Sequence, residues 1–287
     1  TPMSWIEASR PKTLVASFVP VLVGSKGFLF TKCKNLDVII VLIGCFLFSG
    51  LVQIATNLAN DYFDSVKGAD RIRTIAPKRM VSSGEISGDI MFRAAIVLLI
   101  LAFGVGLSTV LIAGADYWFI ALGLLCIFCA IWYTAGPFAL AYNGLGDVFV
   151  IAFFGLVGVE GTNYLLSCTS GDSWVANLGL ALSVGLLINN LLVVNNYRDR
   201  EEDLKVGKRT TIVIFGKKIG IFLFLTGYLV PCFVAFSNHQ YFSLVIIVTS
   251  TFSLNYLIRG KTAKEFSLAL SLSAMSVILY GFTTVFY

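Results

Sequence analysis

The sequence predicts an all-α, polytopic membrane protein, with nine transmembrane helices forming one bundle over residues 1–287. Three observations lead there. Charged residues make up 13% of the chain and hydrophobic ones 57%, whereas a soluble domain carries about 25% charged residues. Apolar stretches of about 20 residues, enough to cross a bilayer core as helix, recur from end to end and leave no soluble domain over. Finally, Lys and Arg crowd into alternate connections between those stretches.

The first span, roughly 13–30, follows TPMSWIEASRPKT, a segment without a signal-peptide cleavage pattern. The second, 38–59, runs into an acidic stretch, NLANDYFDSVKGAD. Spans 90–110 and 117–135 follow, separated by the short link GADYW. The fifth and sixth, 147–166 and 174–196, flank CTSGDSW, and the sixth runs into a second acidic stretch, NNYRDREEDLKVGKRT. Spans 217–237, 240–258 and 265–286 complete the set. Glycine recurs within them, as it does where helices approach closely in lipid.

Of the 21 Lys and Arg, only Lys26, Lys32 and Lys34 fall outside the N-terminal segment and the links after spans two, four, six and eight. The basic side is expected to be cytoplasmic. That places the N-terminus inside and the C-terminus outside, with both acidic stretches on the cytoplasmic face; the membrane expected is the bacterial inner membrane, with a plastid membrane left open. The single histidine, His239, then falls in an outer loop, where exposure is expected rather than catalysis. The net charge of +5 is explained by orientation, so no nucleic-acid partner is expected; the lipid bilayer is the partner. Six cysteines are scattered, and the Cys126–Cys129 pair sits within an apolar span without His or a second pair nearby, so core packing is its expected role.

The two acidic stretches are related copies, which divides the chain into pseudo-repeated halves with motifs at 57–79 and 195–210. Asn60, Asp64 and Gly68 are spaced by four, as are Asn195, Asp199, Asp203 and Gly207. On a helix that spacing stacks side chains on one face. Carboxylate oxygens in such clusters suit Mg²⁺, which takes one or two carboxylates and completes its shell with water and substrate phosphates. The ligand set expected is Asn60, Asp61, Asp64, Asn195, Asp199 and Asp203, with the four aspartates as the catalytic groups. Asn57, Asn60, Lys67, Lys78, Arg79, Asn196, Lys208 and Arg209 are placed to hold the diphosphate, arginine through its bidentate fork. A magnesium-diphosphate clamp at the mouth of an apolar bundle fits a polyprenyl diphosphate. The competing reading, solvated loop charge, explains one such motif but not two at equivalent places.

These residues resemble the UbiA superfamily of intramembrane aromatic prenyltransferases, whose first motif is Asn-Asp-x-x-Asp-x-x-x-Asp and whose second is Asp-x-x-x-Asp. Here the first reads from Asn60 and Asp61 through Asp64 to Gly68, which replaces the last Asp, with Asp70 two residues on. NLANDYFDSVKGAD, RPKTL, GPF followed by YNGLGD, and NNYRDREEDLKVGKRT are similar to the branch that prenylates 1,4-dihydroxy-2-naphthoate in menaquinone synthesis. The likeness runs from about residue 5 to 216 and beyond that is one of hydropathy alone. It implies a central cavity opening to the cytoplasm, Mg²⁺-assisted loss of diphosphate, attack by the electron-rich ring on the allylic carbon, and loss of CO₂ to give demethylmenaquinol. Other aromatic acceptors (the 6-naphthoate isomer, 4-hydroxybenzoate, homogentisate) stay open. A cation-coupled transporter is the rival of a different class, but transporter sites lie near the midplane and these carboxylates lie at helix ends.

YTAGPFALAYNGLGDV (133–148) is an uncharged link but for Asp147, and is expected to cover the acceptor, with Tyr133, Tyr142, Asn143 and Asp147 as its polar groups. Arg10 and Lys12 are either orientation anchors or contacts to the naphthoate carboxylate or the diphosphate. Glu160 lies about 20 Å from the cytoplasmic end of its span. It is expected to pair with Asn163 or Thr162, or to approach the outer surface.

Overall fold

The computed structural model describes residues 1–32, 34–69, 76, 77 and 79–287, and among these its regular elements are helices. Among the described residues seven helices are long and apolar enough to cross a bilayer: Leu36–Val66 (α3), Gly88–Ala113 (α4), Gly146–Ser170, Leu178–Lys205 (α8), Lys217–Ser237 (α10), Tyr241–Arg259 and Ala263–Phe286 (α12). Gly146–Ser170 is composite, with α6 (Gly146–Val150) and α7 (Gly161–Ser170) joined by a π-helical stretch, Ile151–Glu160. Tyr241–Arg259 likewise opens on a 3₁₀ turn and continues as α11 (Ile246–Arg259).

The other two expected spans fall on shorter helices, α2 (Val15–Gly24, 10 residues) and α5 (Trp118–Trp132, 15 residues). At 1.5 Å per residue these reach about 15 and 22 Å, less than the ~30 Å of a bilayer core. The reason is local. After α2 the chain passes into a turn at Gly27, whose φ is 93°, and after α5 into one at Gly136, whose φ is 74° and which precedes Pro137. A short N-terminal helix, α1 (Pro2–Ser9), and α9 (Thr211–Phe215) lie outside the spans.

Polar caps mark the helix starts. Asn35 accepts from the Asp37 N–H, Ser87 from Ile90, Asn177 from Leu180, and Thr262 with Glu265 forms a capping box on α12. Each satisfies backbone donors that the first turn leaves unpaired. α8 is the central helix: 67% of its apolar window is buried inside the protein, against 28% for α3 and α4. It meets the π-helical stretch at a pair of glycines. A Cβ on Gly155 would lie 2.5 Å from the Ala181 oxygen, and one on Gly185 2.6 Å from that of Ile151, so only glycine permits the crossing.

Candidate active site

Both acidic motifs end their helices in the same turn. α3 stops at Val66, Gly68 takes φ 72°, and the Gly68 and Ala69 N–H groups return to the Ser65 and Asp64 carbonyls at 3.0 and 2.9 Å. α8 stops at Lys205, Gly207 takes φ 73°, and the Gly207 and Lys208 N–H groups return to the Leu204 and Asp203 carbonyls at 3.3 and 2.9 Å. Each is a Schellman cap, which needs a left-handed residue just past the helix end. Gly68 therefore stands where the general pattern has an aspartate because the backbone turns there. Superposed on the glycines, Asp64 matches Asp203 and Asn60 matches Asp199, while Asp61 matches Arg200.

The carboxylates are buried but differently held. Asp61 accepts from the backbone N–H of Met80 at 3.0 Å and of Val81 at 3.1 Å, which pins the following link to α3. Asp64 accepts from the Tyr142 hydroxyl at 2.7 Å and from Arg79 at 3.3 Å. Asp199 takes both arms of its neighbour Arg198 at 2.5 and 2.8 Å, and Asp203 lies 3.8 Å from the Lys208 ammonium. Asn60 accepts from the Thr134 hydroxyl at 2.8 Å.

Tyr142 joins the two copies. The Lys67 ammonium lies 4.0 Å from the centre of its ring and that of Lys208 lies 5.3 Å away. Lys67 also donates to the Thr134 and Gly136 carbonyls at 2.6 and 2.9 Å. Partial burial draws Lys67 below the usual lysine range; Asp64 opposes that shift and Lys208 adds to it. The link bearing Tyr142 is stitched to the end of the second motif, with the Arg209 N–H donating to the Tyr142 carbonyl at 3.1 Å and Thr211 to Asp147 at 2.6 Å. The uncharged link thus covers the place where the motifs meet.

Below it lies a cavity of about 330 Å³. Its polar end is formed by Arg10, Gln53, Asn57, Asn60, Tyr133 and Asn195, and its walls are apolar. The lining on α3 runs from Asn60 back to Gly44, about 24 Å at 1.5 Å per residue. Among the described residues of the lining, Arg10 is the one charged side chain.

The remaining expected residues separate into two sets. Arg10, Tyr133 and Asn195 face the cavity. Lys12 is exposed and donates to Ser267 at 2.8 Å, Asn143 is exposed and closes its own turn on the Ala139 carbonyl, and Arg209 is exposed. Asp147 holds Asn189 at 3.0 Å as well as Thr211, tying α6 to α8 and α9. Asn196 is buried on α8. Lys78 and Asp70 lie outside the described residues. Glu160 accepts from Asn163 at 3.4 Å and from the Asn177 N–H at 2.9 Å, and His239 is exposed. Arg198 and Thr134 escaped the sequence reading, although Arg198 sits beside Asp199.

An all-helical bundle with two acidic helix ends over an apolar cavity has known counterparts. The sequence matches the UbiA prenyltransferase family over residues 17–283. The chain belongs to that family. Among characterised UbiA proteins, the 1,4-dihydroxy-2-naphthoate octaprenyltransferase of Escherichia coli is 38% identical over 75% of this chain and 69% of its own length. The enzyme of the same name from Haemophilus influenzae is 37% identical over 74% and 69%. A UbiA homologue from Archaeoglobus fulgidus, solved bound to GPP and Mg²⁺, superposes with a TM-score of 0.59 over 98% of this chain and 99% of that one. At 17% identity that likeness speaks for the UbiA fold.

Proposed function

We propose that this UbiA-family protein transfers the polyprenyl group of a polyprenyl diphosphate to 1,4-dihydroxy-2-naphthoate, releasing diphosphate and CO₂ and leaving demethylmenaquinol. The observation that carries the reading is the meeting of both acidic helix ends on Tyr142, over an apolar cavity with a polar end. The acceptor is the one named for the Escherichia coli and Haemophilus influenzae relatives.

Magnesium suits the donors. Among the described residues no three His, Cys, Asp or Glu side chains are grouped to hold a metal by themselves. The hard oxygens are instead divided between two helix ends, Asp64 with Asn60 and Asp199 and Asp203 with Asn195. That matches an ion that fills its shell with water and substrate phosphate. Bound there, Mg²⁺ would neutralise charge on the departing diphosphate. Lys67, Arg79, Arg198 and Lys208 add fixed positive charge at the same end, where preorganised donors act most strongly on a developing anion. The cavity walls take the hydrocarbon tail and keep water from the allylic cation. Arg10, at the polar end, is suited to the naphthoate carboxylate.

The chain acts as one domain of two pseudo-repeated halves, in the bacterial cytoplasmic membrane, with the motif end and the N-terminus on the cytoplasmic face. The test is diphosphate release by the purified protein given prenyl diphosphate, 1,4-dihydroxy-2-naphthoate and Mg²⁺. Release that depends on all three is expected. Equal release with 4-hydroxybenzoate would reassign the acceptor, and no release with any aromatic acid would end the reading.

A further inference from the structure

Asn57 was expected on the diphosphate, and its surroundings give it another task. Its amide nitrogen donates to the Ser9 carbonyl at 2.8 Å and to the Thr13 hydroxyl at 3.2 Å, so both hydrogens are used. Its oxygen faces the Gln53 amide at 3.5 Å. The side chain is 3% exposed, and an amide oxygen offers nothing to a phosphate oxygen. The two groups it holds flank Arg10, Pro11 and Lys12.

Arg10 has a backbone conformation that needs holding. Its φ and ψ are 52° and 71°, in the left-handed region, and His239 is the other non-glycine residue with positive φ among the described ones. A side chain there is strained. The following Pro11 adds to the strain, because the residue before a proline is driven toward extended geometry. Beside the loop's own backbone bonds and those of Asn57, two side-chain bonds brace it: the Thr13 hydroxyl donates to the Arg10 carbonyl at 2.9 Å, and Lys12 reaches Ser267 on α12 at 2.8 Å. Among the described residues, the strained residue is the one charged group lining the cavity. Strain persists where the surroundings over-determine it, and it collects at functional sites.

We infer that Asn57 is a positioning residue: it clamps the Ser9–Thr13 loop so that Arg10 keeps its left-handed backbone and presents its guanidinium at the polar end of the cavity. The inference rests on the proposed reading only for what Arg10 meets there. The clamp itself is independent of substrate.

Two measurements on the full-length protein in detergent test it. Hydrogen exchange of Asn57→Ala reads the clamp without any reaction: faster exchange confined to the amides around Arg10–Leu14 is expected, and unchanged exchange there would overturn the inference. Steady-state kinetics read the consequence. Asn57→Ala should raise the KM for the naphthoate about tenfold, the scale of one buried hydrogen-bonding group, while the KM for the prenyl diphosphate stays within about twofold. Arg10→Ala should do the same, and the double variant should be no worse than Arg10→Ala alone. A rise confined to the prenyl diphosphate, or additive effects, would return Asn57 to the diphosphate site. If Asn57→Ala does not fold, Thr13→Val removes one of its two acceptors together with the bond to the Arg10 carbonyl and should give the same pattern; no change in loop exchange or naphthoate KM in that variant would likewise overturn the clamp. Loosened exchange in a protein that never turns over naphthoate would keep the clamp and remove the proposed acceptor.

Discussion

Asp64 and Asp203 occupy the same place in two copies of one turn, yet their surroundings are assembled differently. Asp64 is held by Arg79, 15 residues on, and by Tyr142, 78 residues on. Asp203 is approached by Lys208, and its neighbour in the motif, Asp199, by Arg198. Asp64 thus depends on Tyr142 across the fold, whereas Asp199 is paired with its own neighbour in sequence. An acid placed by local neighbours is correct as soon as its helix forms, whereas one placed at long range waits for the bundle to close. The difference makes Tyr142 the sensitive point of the first copy.

Substitutions separate the two cases. The largest expected effect is shared: Asp64→Asn and Asp203→Asn should each lower turnover at least about a hundredfold, the scale of losing one charge-stabilising group in a preorganised site, in protein that still inserts and folds. Near-normal turnover of either would remove that copy from the reaction. Next is Tyr142→Phe, which keeps the ring between the two ammonium groups and deletes the bond to Asp64. About a tenfold loss is expected, with a larger one for Tyr142→Leu; equal losses would mean that the ring and not the hydroxyl matters. Asp61→Ala should act mainly on stability, leaving the buried Met80 N–H and the part-buried Val81 N–H without an acceptor at about 2 kcal/mol. A lowered thermal midpoint and faster proteolysis within 76–87 would register it, and an unchanged midpoint would free Asp61 for another role. Smallest is Arg259→Ala, exposed at the end of α11, which should change turnover by less than about twofold, as surface charges do.

Much of this was legible in the residues. The four-residue spacing through Asn60, Asp64 and Gly68 exposed the shared helix face, because the spacing is local and the helix geometry is fixed. Glu160 was expected to pair with Asn163 or Thr162 or to approach the outer surface, and of these it meets Asn163, three residues away. Tyr142 was legible only as a polar group in an oddly uncharged link, since its partners lie across the fold and no local pattern encodes them. The partners of Asn57 were hidden for a related reason. Its place next to the motif suggested the diphosphate, but its partners Ser9 and Thr13 come from 48 and 44 residues upstream. The two shortest spans were drawn too long because hydropathy does not register turns at Gly27 and Gly136.

The twin Schellman turns carry one more consequence. A helix ends on unpaired carbonyls, and its C-terminal pole is equivalent to about half a negative charge. α3 and α8 bring two such poles to the same place, since the residues just past each end share the ring of Tyr142. A naked polyanion approaching from solution meets both poles and the aspartates beside them. A cation is drawn to the same poles. Inorganic diphosphate should therefore bind the full-length protein with Mg²⁺ present and not without it, a difference that direct binding reads without any turnover.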